Sequence, residues 1–141
     1  MKGVVGVYSR QGACAKGLQT LYGVQHRGQE SSGLTAAGDH SLRTWKDRGL
    51  ASGVFDEQFR SFMHPDDYAA IGCASGENAG NGYPPHESRQ DSRFIFSLAL
   101  DGYFPRDGGT SEELVAATIN KFLSDGKGFG DALAEAMKSH R

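Results

Sequence analysis

The side chains able to carry chemistry fall in five short segments. Lys2 stands directly before Gly3-Val4-Val5-Gly6. Gln25-His26-Arg27-Gly28-Gln29-Glu30-Ser31-Ser32-Gly33-Leu34 joins a histidine, an arginine and an acid to small residues. Ile71-Gly72-Cys73-Ala74-Ser75-Gly76-Glu77-Asn78-Ala79-Gly80 sets a thiol near an acid. Leu100-Asp101-Gly102 and Thr110-Ser111-Glu112-Glu113 add carboxylates. A lysine attacks as a nucleophile only when desolvated, because a reference pKa near 10.4 leaves it protonated at neutral pH. The expectation for Lys2 is a solvated ammonium. Cys14 and Cys73 lack metal-ligand spacing and any legible Cys–His–acid pattern, so they read as packing thiols. His26 reads as a structural, hydrogen-bonding histidine. Arg27 reads as a cation that caps helix carbonyls and pairs with Glu30.

The elements that position these groups follow from periodicity. Gly3 to Tyr8 reads as a buried strand, and Ala13 to Gln25 as a helix with Leu18, Leu21 and Tyr22 near one face. Arg27-Gly28 is expected to stop that helix. Ser32 to Ala37 and Leu42 to Lys46 form a predicted hairpin around Gly38-Asp39-His40. Asp56 is placed to cap a short helix carrying Phe55, Phe59, Phe62 and Met63, and Trp45 and the phenylalanines are core candidates. Tyr68 to Cys73 reads as a strand. Gly76 to Arg93, with Pro84-Pro85, reads as a polar loop. Phe94 to Leu100 alternates, with Phe94, Phe96, Leu98 and Leu100 on one face. Thr110 and Glu113 have capping-box spacing and open a helix striped by Val115, Thr118, Ile119, Phe122 and Leu123. Gly126, Gly128 and Gly130 break the chain before a last helix, Asp131 to Ser139. Their spacing, after a helix and not a strand, argues for a connector and against a phosphate loop.

Composition narrows the function classes. The chain has 141 residues, a net charge of −2, 38% hydrophobic residues and 20 glycines. That length suits one domain, residues 1–141, with its own core. The charge gives no case for nucleic acid or anionic membrane. No apolar run approaches the roughly 20 residues of a membrane span. No charged-then-apolar leader opens the chain, and with two reduced cysteines the expectation is a cytoplasmic protein. No metal or cofactor is expected. The element order is that of an α+β domain.

The segment Gln25 to Leu34 resembles a signature of the class II glutamine amidotransferases, in particular the glutaminase domain of the amidophosphoribosyltransferases. The Gly3 to Gly6 run, the ends of Ile71 to Gly80 and Asn81-Gly82-Tyr83-Pro84 match in the same order. The resemblance implies the N-terminal-nucleophile fold, an αββα sandwich of two sheets between helical layers, here shortened by its last strands. It also implies what the site should contain, and this chain departs from that at each position. The family's nucleophile is an N-terminal cysteine whose own α-amine serves as base; Lys2 stands in its place. Ser75 replaces an arginine that grips the substrate carboxylate, a task suited to a bidentate guanidinium. Asp101-Gly102 replaces Asn-Gly of the oxyanion hole, where losing one donor costs about 100- to 1,000-fold in rate. Ser111 replaces the aspartate that holds the substrate amine, and a one-residue shift offers Glu112 instead. Arg27 lies near the nucleophile in the family.

The implied function is a glutaminase-like protein without glutaminase activity, serving as a structural or regulatory subunit. A protein partner or a second copy is expected, because absent strands would leave a sheet edge open to pairing. Two alternatives stand beside it. One is a residual glutaminase or amidohydrolase feeding ammonia to a synthase or phosphoribosyltransferase. The other is a sensor of small amines in the old pocket, made acidic by Glu77 and Asp101.

Overall fold

The computed structural model describes residues 1–39, 41–76, 82–91, 94–102 and 110–140. The chain begins with β1 (Lys2–Tyr8) and α1 (Ala13–Val24), then a 3-10 turn at Gln25–Arg27. A hairpin follows, β2 (Ser31–Gly38) and β3 (Ser41–Arg48), then the short α2 (Ala51–Val54) and a second 3-10 turn at Glu57–Ser61. Next come β4 (Ala69–Ser75), β5 (His86–Asp91), β6 (Phe94–Leu98), α3 (Ser111–Ser124) and α4 (Phe129–Ser139). Strands β1 to β4 form one antiparallel sheet in the order β1-β4-β2-β3, and β5 pairs with β6 in a second.

Alternation along the strands decides what lies on each face of the first sheet. Val5, Leu34 and Ala36 face α1, whose Leu21 and Cys14 are fully buried with them. Gly17 lets α1 lie close: a Cβ there would meet the Ala70 Cβ at 3.0 Å and the Leu34 Cδ1 at 3.2 Å. The opposite, inner face meets the second sheet through Thr35, whose hydroxyl lies 2.8 Å from that of Ser97 on β6. On the far side of β6, Phe96 packs with Val115, Ile119 and Leu123 of α3 and Ala132 and Ala136 of α4. The layers therefore run helix, sheet, sheet, helix, as the resemblance implies. An aromatic group closes one side: Trp45 meets Phe59 and Phe62 edge-on, and its indole N–H donates to the Val54 carbonyl at 2.9 Å.

Three expectations need correction. The predicted polar loop contains β5, because His86 to Asp91 pairs with β6 in a register interrupted between Ser88 and Asp91. That irregularity breaks the alternation that would have marked a strand. Gly28 does not stop a helix in left-handed geometry; its φ of −166° is extended. It is glycine because a Cβ there would lie 2.4 Å from the Ser75 carbonyl carbon. Gly130 lies inside α4 and does not break the chain. Asp56 caps its 3-10 turn by accepting from the Gln58 N–H, and Thr110 and Glu113 form the full capping box of α3. The turn position His40, the segment Glu77 to Asn81 and the residues between Gly102 and Thr110 lie outside the described residues.

Candidate functional site

The start of β1 lies opposite the end of β4, with Lys2 paired to Ser75 and Ser75 to Ser31 of β2. The alternation that turns Val5 toward α1 turns Lys2 inward, between the sheets. There its ammonium meets Glu112 at the head of α3, 2.9 Å from Oε1 and 3.1 Å from Oε2. The two side chains are only 4% and 1% exposed. Glu112 also accepts from the Leu100 N–H at 3.4 Å. The capping box fixes this helix start, and the first turn of a helix favours a carboxylate. The expectation of a solvated Lys2 is thus overturned. A lone buried ammonium would be costly, and the carboxylate makes its burial tolerable.

Arg27 also differs from its expected role. Its Nε donates to the Lys2 carbonyl at 2.8 Å and a terminal nitrogen to Asp101 at 2.8 Å. The guanidinium and this carboxylate are 41% and 49% exposed, so water and salt screen the pair. Glu30 lies 3.8 Å from Arg48 instead. Arg27 is therefore a tie between the first strand and the segment after β6. His26 is exposed and makes no side-chain hydrogen bond among the described residues, so the structural role expected of it is not met.

The structure thus gathers Lys2, Arg27, Ser75 and Asp101 at one end of the sandwich. Gly102 follows Asp101 on the surface. Ser111 is buried beside Glu112. Glu77 and Asn81 lie outside the described residues. The two cysteines are buried and carry thiols. Burial pushes the Cys14 thiol up to about 12, with Asp67 adding to the rise and Arg43 opposing it, so it is no nucleophile.

A second group of polar side chains escaped sequence reasoning because β5 did. Thr44 and Lys46 of β3, Gly82 to Pro84, His86 and Glu87 of β5, and Thr110 and Glu113 line a cleft of about 400 Å³. The available signal was Lys46 and Thr44 at alternate positions of a strand, facing inward. Among the described residues no His, Cys, Asp and Glu cluster could hold a metal. No described helix is long and apolar enough to cross a membrane.

An amidophosphoribosyltransferase of Mycobacterium bovis is 42% identical over 80 residues, 56% of this chain and 15% of that protein. One of Archaeoglobus fulgidus is 39% identical over 87 residues, again 56% of this chain and 19% of its own length. Over these stretches the chain is similar to the amidophosphoribosyltransferases. The matched stretch spans less than a fifth of either relative. No protein-family model matches. Among solved structures, glutamine phosphoribosylpyrophosphate amidotransferase from B. subtilis, complexed with ADP and GMP, superimposes with a TM-score of 0.84 at 21% identity. The alignment covers 99% of this chain and 33% of that one. A structure described as the allosteric regulatory enzyme of purine biosynthesis gives a TM-score of 0.83 at 23% identity over the same shares. These structures share the chain's N-terminal-nucleophile amidotransferase fold.

Proposed function

We propose that this chain is a glutaminase-like domain that does not hydrolyse glutamine and serves as a structural or regulatory subunit. The observation carrying this reading is the buried Lys2–Glu112 pair. By the resemblance, Lys2 stands where the nucleophile belongs. An ammonium held by a carboxylate at 2.9 and 3.1 Å has no lone pair to offer an amide carbon. With Met1 attached, the Lys2 nitrogen is a peptide nitrogen and not the free amine that the family uses as a base. The remaining positions agree in direction. Ser75 cannot make the two parallel hydrogen bonds of a guanidinium to a carboxylate. Asp101 puts a carboxylate where a donor would stabilise an oxyanion.

A partner fits the inner face of the first sheet. Val4 and Tyr8 share that face with Lys2, and Tyr8 is 85% exposed. Ile95, two residues from Ser97 on β6, is also exposed. Apolar groups between two sheets are normally covered, and their exposure marks a surface that another chain or a second copy would cover.

The test is glutamate release from glutamine by the purified chain. No release above buffer is expected. Release that disappears in Lys2→Met would overturn the reading. Sedimentation of the chain and of Tyr8→Glu addresses the partner. Self-association that is lost in the variant identifies a second copy as the occupant.

A further inference from the structure

β1 stands at one end of the order β1-β4-β2-β3, so one of its edges has no neighbouring strand among the described residues. Which backbone groups face that edge follows from the pairing with β4. The Gly76 N–H donates to the Met1 carbonyl at 3.0 Å, and the Ser9 N–H to the Tyr68 carbonyl at 2.8 Å. Bonding in an antiparallel ladder alternates along the strand. The odd-numbered residues of β1 therefore bond to β4, and the even-numbered ones turn their N–H and C=O outward. Arg27 agrees with this, because it reaches the outward carbonyl of Lys2. The outward groups of Val4, Gly6 and Tyr8 have no such partner among the described residues.

The edge also lacks the devices that keep strand edges apart. Charged side chains, proline and bulges normally blunt an exposed edge. From Gly3 to Ser9 the sequence is Gly-Val-Val-Gly-Val-Tyr-Ser, without a charge or a proline. Its register against β4 is unbroken. Val4, Gly6 and Tyr8 are exposed. A Cβ at Gly6 would meet nothing within 4 Å, so the middle of the strand is open on the inner side. Tyr68 supports the Tyr8 ring edge-on, at 6.3 Å between centroids.

We propose that a second copy of this chain covers this edge, its β1 running antiparallel to the first about a two-fold axis at Gly6. Two four-stranded sheets then join into one. The inference rests on the partner reading of the proposed function and names both the partner and its mode of contact. A row of unpaired N–H and C=O groups is matched by another strand, and this strand matches itself. With Gly6 opposite Gly6, the outward residues of the two copies face one another. About six hydrogen bonds form, two for each directly opposed pair. Val4 of each copy falls beside Tyr8 of the other, an aromatic and β-branched pair of the kind that stabilises sheets. Val5 falls opposite Val7 on the other face, and within the paired span no charge faces a charge. The area sets the strength. Two Tyr8 rings, at about 150–250 Å² each, and two Val4 side chains stay below the roughly 1,200 Å² of stable complexes. The dimer is therefore reversible, with a dissociation constant in the micromolar range or weaker.

Sedimentation of the full chain over a range of concentrations, with amide hydrogen exchange followed by NMR, tests this. A monomer–dimer equilibrium is expected. The amides of Val4, Gly6 and Tyr8 should exchange fast in dilute solution and slowly once the dimer forms. Those of Val5 and Val7, already bonded to β4, should stay slow throughout. Burial of a sheet face without strand pairing would not produce that alternation. Gly6→Pro removes an outward N–H and none of the bonds to β4. Tyr8→Lys sets a charge on the edge. Each should weaken association at least about 10-fold, with the fold verified by circular dichroism. The proposal is overturned if the chain stays monomeric up to about 1 mM, which would leave the partner reading to a different protein. It is overturned equally if the chain dimerises while Val4, Gly6 and Tyr8 still exchange freely, which would keep a second copy on the face of the sheet and not on its edge. Dimerisation at parent strength in either folded variant also overturns it.

Discussion

Replacing Lys2 with methionine keeps most of the stem and removes the charge. The Lys2–Glu112 separation is 2.9 Å. At an effective dielectric of about 20, the gross attraction across it is about 6 kcal/mol. Much of that is offset by the desolvation of both ions, so the pair's net worth is far smaller. The single substitution is different, because it strands a carboxylate that is 1% exposed. Its remaining partner shown here is the Leu100 N–H at 3.4 Å. Stranding a buried charge in this way costs about 3–5 kcal/mol. With a urea slope of about 1–3 kcal/mol per molar, the midpoint should fall by about 2 M. Urea titrations followed by circular dichroism and Trp45 fluorescence measure it. The double variant Lys2→Met/Glu112→Leu removes both charges and should recover most of the loss. A cost below about 1 kcal/mol for Lys2→Met would place the pair in water, as for surface ion pairs, and would refute the reasoning. A double variant as unstable as the single would do the same.

Other substitutions probe the frame. Gly33→Ala would set a Cβ 2.3 Å from the Pro84 carbonyl oxygen and 2.7 Å from the Pro85 ring. It should destabilise the chain by about 1–3 kcal/mol or more, while Gly23→Ala, which meets nothing within 4 Å, should stabilise α1 by about 0.5–1 kcal/mol. Thermal unfolding compares the two. Arg43 holds the fully buried Asp67 with contacts of 2.7 and 2.8 Å, so Arg43→Met should cost about 3 kcal/mol in the same assay. His86, with its folded pKa below 6.5, contributes stability that is complete above pH 6.5. That contribution falls as the pH drops below 6.5 toward the folded pKa, because the unfolded chain takes the proton first. His86→Gln should flatten that part of the stability–pH curve.

Much of the architecture was legible because local chemistry and tertiary placement agree. The Thr110–Glu113 spacing marked the head of α3 and holds as a capping box. The alternation of Phe94 to Leu100 marked a strand whose Phe96 is buried and whose Ser97 faces the other sheet. The β2–β3 hairpin was visible from its turn. What stayed hidden depends on contacts far apart in sequence. Lys2 and Glu112 are 110 residues apart, and no local pattern announces that one neutralises the other. The only sequence sign was an acid at the second position of a capped helix. β5 was missed because Pro84-Pro85 and an interrupted register disguise it, and the cleft went with it. Arg27 was assigned to Glu30 by proximity in sequence, yet its partners are Lys2 and Asp101.

The strand order β1-β4-β2-β3 sets a sequence of events for the growing chain. The first strand and the hairpin are made early, but neither touches the other within the sheet. They meet only through β4, whose last residue is Ser75. Until that residue has left the ribosome, β1 has no strand to pair with. The hairpin can close on its own timescale of microseconds, whereas β1 must wait for a contact spanning some seventy residues. The closing of this loop is what carries Lys2 inward. The pairing of Lys2 with Glu112 closes a longer loop still, of 110 residues, so the lysine's counter-charge comes from the far end of the chain.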